Sequence, residues 1–194
     1  MKVPIKLLGL RKKYGDKVVL ENVNYVIHKG TTTCIMGPSG CGKTTLIRIM
    51  MGLETADAGM TIGLEDLKKS VVFQEDRLCE NLTVASNIRM VNHHPLETKH
   101  LLAAIQKVGL PADCLKQAVH QLSGGQKRRV AILRALMSRY NTLFMDEPFK
   151  GLDSETKKQV MQYVKEATKG KTVILVTHDE AECQFMSDDV IYCL

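Results

Sequence analysis

The octapeptide GPSGCGKT at residues 37–44 constrains this chain more than any other feature, because it joins two patterns that ask for different backbones. Upstream, TTTCIM at 31–36 is apolar and β-branched and reads as a strand; downstream, LIRIMMGL reads as a helix. A strand that passes through a glycine turn directly into a helix N-terminus is a cradle for phosphate. Gly37, Gly40 and Gly42 let successive amide N–H groups turn inward, and the helix dipole adds to them. The spacing G-x-x-x-x-G-K-[ST] then supplies a cation, Lys43, for the β and γ phosphates and a hydroxyl, Thr44, for Mg²⁺. Pro38, Ser39, Cys41 and Thr45 complete the candidate nucleotide-binding loop. The motif specifies a nucleoside triphosphate and is silent about what it is for.

A second constellation fits the first. TLFMDEP at 142–148 is an apolar strand ending in two adjacent acids. Asp146, at the strand's carboxyl end, would reach Mg²⁺ through water, and Glu147 would polarise the water that attacks the γ-phosphate. A solvated turn after a strand is the bland alternative, and the cradle upstream weighs against it.

Further β-rich runs lie at 18–27, 70–73, 172–176 and 190–194. Helical stripes run through Leu101, Leu102, Ile105 and Val108 and through Val160, Tyr163, Val164 and Ala167. The nearly continuous apolar runs at 31–36, 142–145 and 172–176 suit parallel strands covered on both faces, which makes the core α/β. From about 82 to 119 there is no strand signal, only helical patterns broken by Pro95, Gly109 and Pro111, so this stretch reads as an all-helical insert. The 194 residues fit one domain, with no internal repeat and no linker.

Charge narrows the function. The net +6 is concentrated in two blocks: residues 1–17 carry six cations and one anion, and residues 123–139 carry five cations and no anion. With five Tyr, four Phe and no Trp, the chain lacks the aromatics of a base-stacking platform, which argues against nucleic acid. No run spans a bilayer, and the charged N-terminus is not a secretory signal. Six cysteines with no CxxC suit reduced thiols in a cytosolic protein.

LSGGQ at 122–126 opens the basic helix KRRVAILRALMSR. Ser123 and Gln126 have the spacing of a capping box, so a plain helix start is one reading. Two glycines in a first turn are poor helix formers, and that cost suggests that something approaches the backbone closely. Together with the two nucleotide motifs, LSGGQ makes the whole chain resemble the ATP-binding subunits of ABC transporters.

That resemblance implies a P-loop NTPase core with a mostly parallel sheet and an N-terminal antiparallel β subdomain. It makes residues 1–194 a single ABC ATPase domain whose helical subdomain occupies about 82–138. Gln74 matches the Q-loop residue that senses Mg²⁺ and the membrane subunit, Asp153 the D-loop, and His178 the switch histidine that contacts the γ-phosphate. Tyr14 falls where the family stacks an aromatic on adenine; surface packing is the other reading. In the family two such domains pair head to tail, so Ser123, Gly124, Gly125 and Gln126, with Asp153, would contact ATP held by a second copy. The cations of the signature helix would favour that partner's triphosphate. Implied partners are a second ATPase subunit, transmembrane permease subunits and an extracytoplasmic solute-binding protein, with the chain in the cytoplasm on the inner face of the cell membrane.

The stretch VVFQEDRLCENLTVASNIRM looks most like importers of the nitrate, sulfonate and taurine type. Lys150 and Gly151 replace the usual small pair before the D-loop, Leu133 stands where Ala is common, and a regulatory C-terminal domain is expected to be absent. The competing class is a soluble ABC ATPase acting on nucleic acid or ribosomes. A third reading, a nucleotide-gated binding module without turnover, is opposed by Glu147 and His178.

Overall fold

A computed structural model describes residues 3–92 and 96–193; the Pro95 break lies outside the described residues. In chain order the elements are β1 (Ile5–Tyr14), β2 (Lys17–Ile27), β3 (Thr32–Met36), α1 (Lys43–Met51), β4 (Ala58–Ile62), β5 (Lys69–Val72), α2 (Val84–Arg89) and α3 (Thr98–Lys107). Two 3-10 turns follow, then α4 (Gly124–Leu136), β6 (Thr142–Asp146), α5 (Ser154–Ala167), β7 (Thr172–Val176), α6 (Glu180–Met186) and β8 (Asp189–Tyr192).

Five strands form a parallel sheet in the order β5-β6-β7-β3-β8, and β2-β1-β4 form a separate antiparallel sheet. A parallel sheet with a separate antiparallel one is the arrangement that the resemblance implies. Alternation along the parallel strands divides the core in two. Cys34, Leu143, Met145, Val173 and Leu175 face one cluster, shared with Val130 and Leu133 of α4 and Val160 and Val164 of α5. Their neighbours Ile35, Phe144, Ile174 and Val176 face the other, which is filled by Leu46, Ile47 and Met50 of α1 and by Ile5, Leu7 and Leu10 of β1. Burial on both faces makes most positions of the central strands β6, β7 and β3 apolar, which is why they read as nearly continuous apolar runs.

Two strands are absent from the runs read in the sequence. In β1 the buried positions are Ile5, Leu7, Leu10 and Lys12, so the period of two breaks at a bulge between Leu7 and Leu10, where Gly9 has φ 59°. Its outward positions are largely basic and read as a charge block. In β4 the two large apolar residues, Met60 and Ile62, are both exposed. The strand is identified by its pairing with β1, and a Cβ on Gly59 would overlap the carbonyls of Leu8 and Gly9.

Among the described residues between β5 and β6 the regular elements are helices, apart from an antiparallel bridge of Thr83 with Ala118. Among the described residues no helix is long and apolar enough to cross a membrane, and all six cysteines are free thiols.

Candidate nucleotide-binding site

The carboxyl ends of β3, β6 and β7 open onto a cavity of about 450 Å³, lined by the loop residues Ser39, Gly40, Gly42, Lys43, Thr44 and Thr45 and by Gln74, Asp146, Glu147 and His178. At Gly37 and Gly42 the loop is packed too tightly for a side chain, whereas at Gly40 the space is open and a φ of 86° is what favours glycine. Gly42 caps α1 at φ 98°, and a Cβ there would lie 2.7 Å from Leu20 Cδ2 and 2.8 Å from the Val19 carbonyl. Because α1 begins at Lys43, its unpaired first-turn N–H groups and positive dipole end face the cavity. The Lys43 ammonium curls back, donating to the Gly37 and Pro38 carbonyls at 2.7 and 2.8 Å.

Across the cavity, Thr44 Oγ1 donates to Asp146 Oδ2 at 3.1 Å. Burial pushes the Asp146 carboxyl above its ordinary pKa, and the Thr44 hydrogen bond opposes this only in part. A desolvated carboxylate favours a cation as its neighbour. It is hydrogen-bonded to the Thr44 hydroxyl, and Gln74 lines the same cavity, so the three residues offer oxygen donors only, the small protein complement that Mg²⁺ takes when water and phosphate fill its remaining positions. These residues fit Mg²⁺.

Glu147 has φ 48°, a left-handed backbone that costs a non-glycine residue about 1–3 kcal/mol. It is pinned from both sides: its N–H donates to the Val176 carbonyl at 2.9 Å, and its carbonyl accepts from Arg128 Nη2. So held, its carboxylate accepts from His178 Nδ1 at 2.8 Å. The residues flanking His178 are braced as well. Thr177 Oγ1 donates to Glu182 Oε2 at 2.7 Å, and Lys157 of α5 reaches Asp179 at 3.0 Å and Glu182 at 2.8 Å. The Lys157 hydrogen bond is the main reason the Asp179 carboxyl lies below its ordinary pKa.

The other sequence-derived residues stand apart from this cavity. Tyr14 is exposed, with its hydroxyl donating to Glu54 at 3.0 Å and Lys12 Nζ 5.3 Å from its ring centre; the cavity wall carries Val19. Ser123 and Gln126 form the capping box of α4, through bonds of 3.3 and 2.8 Å. A Cβ on Gly124 would meet nothing within 4 Å, and on Gly125 its nearest neighbour would be Leu152 Cδ2 at 3.6 Å. Asp153 caps α5 by accepting from the Thr156 N–H at 2.9 Å, the bond that chiefly lowers its pKa.

Arg128 was missed by sequence reasoning. Its buried guanidinium donates to the carbonyls of Phe73, Asp146 and Glu147 and pairs with Asp76 at 3.0 Å. In the sequence it is one cation among five in its block, with nothing to single it out. Its neighbours are committed in the same way: Lys127 to Glu80, Arg129 to the carbonyls of Gly125, Val108 and Gly109, and Arg134 to those of Asp76 and Arg77. Four of the five cations of this block thus brace α4 against its own chain.

A family model described as ABC transporter matches residues 20–150. The chain belongs to the ABC transporter family, as an ATP-binding domain. Among its curated relatives, the spermidine/putrescine import ATP-binding protein PotA of Pasteurella multocida is 37% identical over 203 residues, covering 96% of this chain and 55% of the relative. The protein of the same name from Spiroplasma citri is 38% identical, covering 96% and 58%. The chain thus spans little more than half the length of these relatives. Their names are those of polyamine importers and not of the nitrate, sulfonate and taurine type. Among solved structures, the ATP-binding cassette MJ0796, a dimer in a post-hydrolysis state bound to ADP and Pi, matches with TM-score 0.84 and 32% identity, covering 97% of this chain and 94% of that one.

Proposed function

We propose that this chain binds and hydrolyses ATP to energise solute import through membrane partner subunits. The observation that carries this reading is the Glu147–His178 hydrogen bond at the mouth of a phosphate loop, beside the Thr44–Asp146 pair. Lys43 exchanges the Gly37 and Pro38 carbonyls for the β and γ phosphates, while the loop amides and the α1 N-terminus take the remaining oxygens. Thr44, Asp146 and Gln74 would hold Mg²⁺, which when bound neutralises charge on the phosphates. Glu147 accepts a hydrogen bond from the attacking water and polarises it; His178, oriented through Nδ1, keeps that carboxylate aimed.

Two copies pair head to tail, so that Ser123, Gly124, Gly125 and Gln126 and the D-loop Asp153 of one meet the ATP of the other. What supports this is the open space at Gly124 together with the dimeric state of the matched cassette. ATP closes the dimer and ADP releases it, and the helical segment at about 82–138 carries that motion to permease subunits. The chain then works peripherally on the inner face of the cell membrane, with an extracytoplasmic solute-binding protein delivering the cargo. The names of the relatives favour polyamine as that cargo, whereas the nitrate, sulfonate and taurine reading rests on the stretch around Gln74.

The test is Glu147→Gln. ATP binding should persist and ATP-dependent dimerisation strengthen while turnover falls about 10²–10⁴-fold; unchanged turnover removes Glu147 from the mechanism. Co-purification with membrane proteins tests the transporter part, and recovery of ribosomes or nucleic acid instead would favour the soluble class.

A further inference from the structure

A second opening, of about 490 Å³, shares only Val19 with the nucleotide cavity, and its wall includes Cys41 of the phosphate loop and Cys193. Cys193 follows β8 directly. Its N–H donates to the Met36 carbonyl at 2.7 Å, which docks the end of β8 against the residue that precedes the loop. A Cβ built on Gly37 would lie 2.8 Å from Cys41 Sγ and 3.2 Å from Cys193 Cβ. Both side chains therefore border the space that the missing side chain of Gly37 leaves. Cys41 Sγ also lies 3.9 Å from the Lys43 ammonium.

We propose that Cys41 and Cys193 are a modification site, a thiol pair that a hydroperoxide converts to an intrachain disulfide, which locks the phosphate loop to the end of β8. Cys41 is half-buried and Cys193 buried, so the oxidant meets Cys41 first. Burial and the neighbouring Cys41 push the Cys193 thiol up to about 11, which keeps it protonated at neutral pH. In the first step the Cys41 sulfur attacks one peroxide oxygen, the O–O bond breaks, and the other oxygen leaves as water from hydrogen peroxide or as the alcohol from an organic hydroperoxide; Cys41 becomes the sulfenic acid. In the second, the Cys193 sulfur displaces the hydroxyl from Cys41, and that hydroxyl leaves as water with the Cys193 proton. The two thiols have lost two electrons and the peroxide has gained them.

A second close pair, Cys34 and Cys183, provides an internal control. These side chains share one buried cluster and are 0% and 2% exposed, out of an oxidant's reach. The consequence of the Cys41–Cys193 bond, though not its chemistry, rests on the reading of residues 37–44 as an ATP cradle. A covalent bond draws the sulfurs closer than thiol contact allows and shifts the loop amides at Cys41 and Gly42.

The experiment exposes the full chain to hydrogen peroxide and reads ATP affinity, thiol titre and a peptide map. The expected result is the loss of two thiols, one cross-linked peptide joining Cys41 and Cys193, and ATP affinity weakened about tenfold or more, all restored by dithiothreitol. Cys193→Ser should bind ATP like the wild type when reduced and give no cross-linked peptide after peroxide; Cys193→Ala provides a second variant. A map joining any other pair, or Cys41 oxidised singly in the wild type, overturns the site, and a cross-link with unchanged affinity overturns the lock. If the reduced wild type fails to bind ATP, the cradle reading fails, while the map still decides the disulfide.

Discussion

The phosphate loop and the start of α4 are both glycine-rich entries into helices, but only the first accounts for its glycines within the chain. A Cβ at Gly42 would press on Val19 and Leu20, whereas one at Gly124 would meet empty space. In a helix, glycine costs about 0.5–1 kcal/mol relative to alanine. The loop incurs its glycine cost for its own packing; α4 incurs a comparable one with no return inside this molecule. Glycines alike in the sequence thus mark two different obligations, one internal and one to something outside the chain.

The comparison can be broken at either end. The largest expected effect is on the internal side, where Lys43→Ala should weaken ATP binding about 10–100-fold by removing a charge-assisted donor; wild-type affinity in a calorimetric titration would end the cradle assignment. Next come two matched substitutions. Gly42→Ala should destabilise the fold by about 1–3 kcal/mol in chemical denaturation, through overlap and a left-handed backbone. Gly124→Ala should stabilise it by about 0.5–1 kcal/mol while lowering turnover. If both destabilise, or if Gly124→Ala leaves turnover intact, the contrast is lost.

The smallest shift is expected at Asp146. Burial raises its folded-state pKa above the unfolded one, so its ionised form opposes folding at neutral pH, and that penalty fades as pH falls through the folded and then the unfolded pKa. Asp146→Asn should therefore raise the melting temperature of the nucleotide-free protein at pH 7 and have less effect near pH 3. A lower melting temperature at pH 7 would contradict the desolvated carboxylate.

Legibility followed the locality of each interaction. The cradle, Asp146 and Glu147 could be read because a motif fixes them within a few residues of a strand end. The central parallel strands could be read because burial on both faces leaves few polar positions. Strand β1 could not, since the bulge at Gly9 breaks its alternation and its lysines look like a charge patch. Arg128 and Lys157 were missed because their partners lie 18–55 and 22–25 residues away, where spacing carries no information. Tyr14 could be placed only by resemblance, and its visible contacts are Glu54 and Lys12.

Arg128 grips its neighbours by their main chain: three of its hydrogen bonds end on the carbonyls of Phe73, Asp146 and Glu147. Side-chain exchange at those three positions leaves the grip untouched. Glu147→Gln and Asp146→Asn are therefore clean experiments, because each alters a reacting group while the scaffold that aims it keeps every one of these bonds. Replacing Arg128 itself would do the reverse, releasing α4, the Gln74 loop and the Glu147 turn together while every group in the cavity stayed chemically intact.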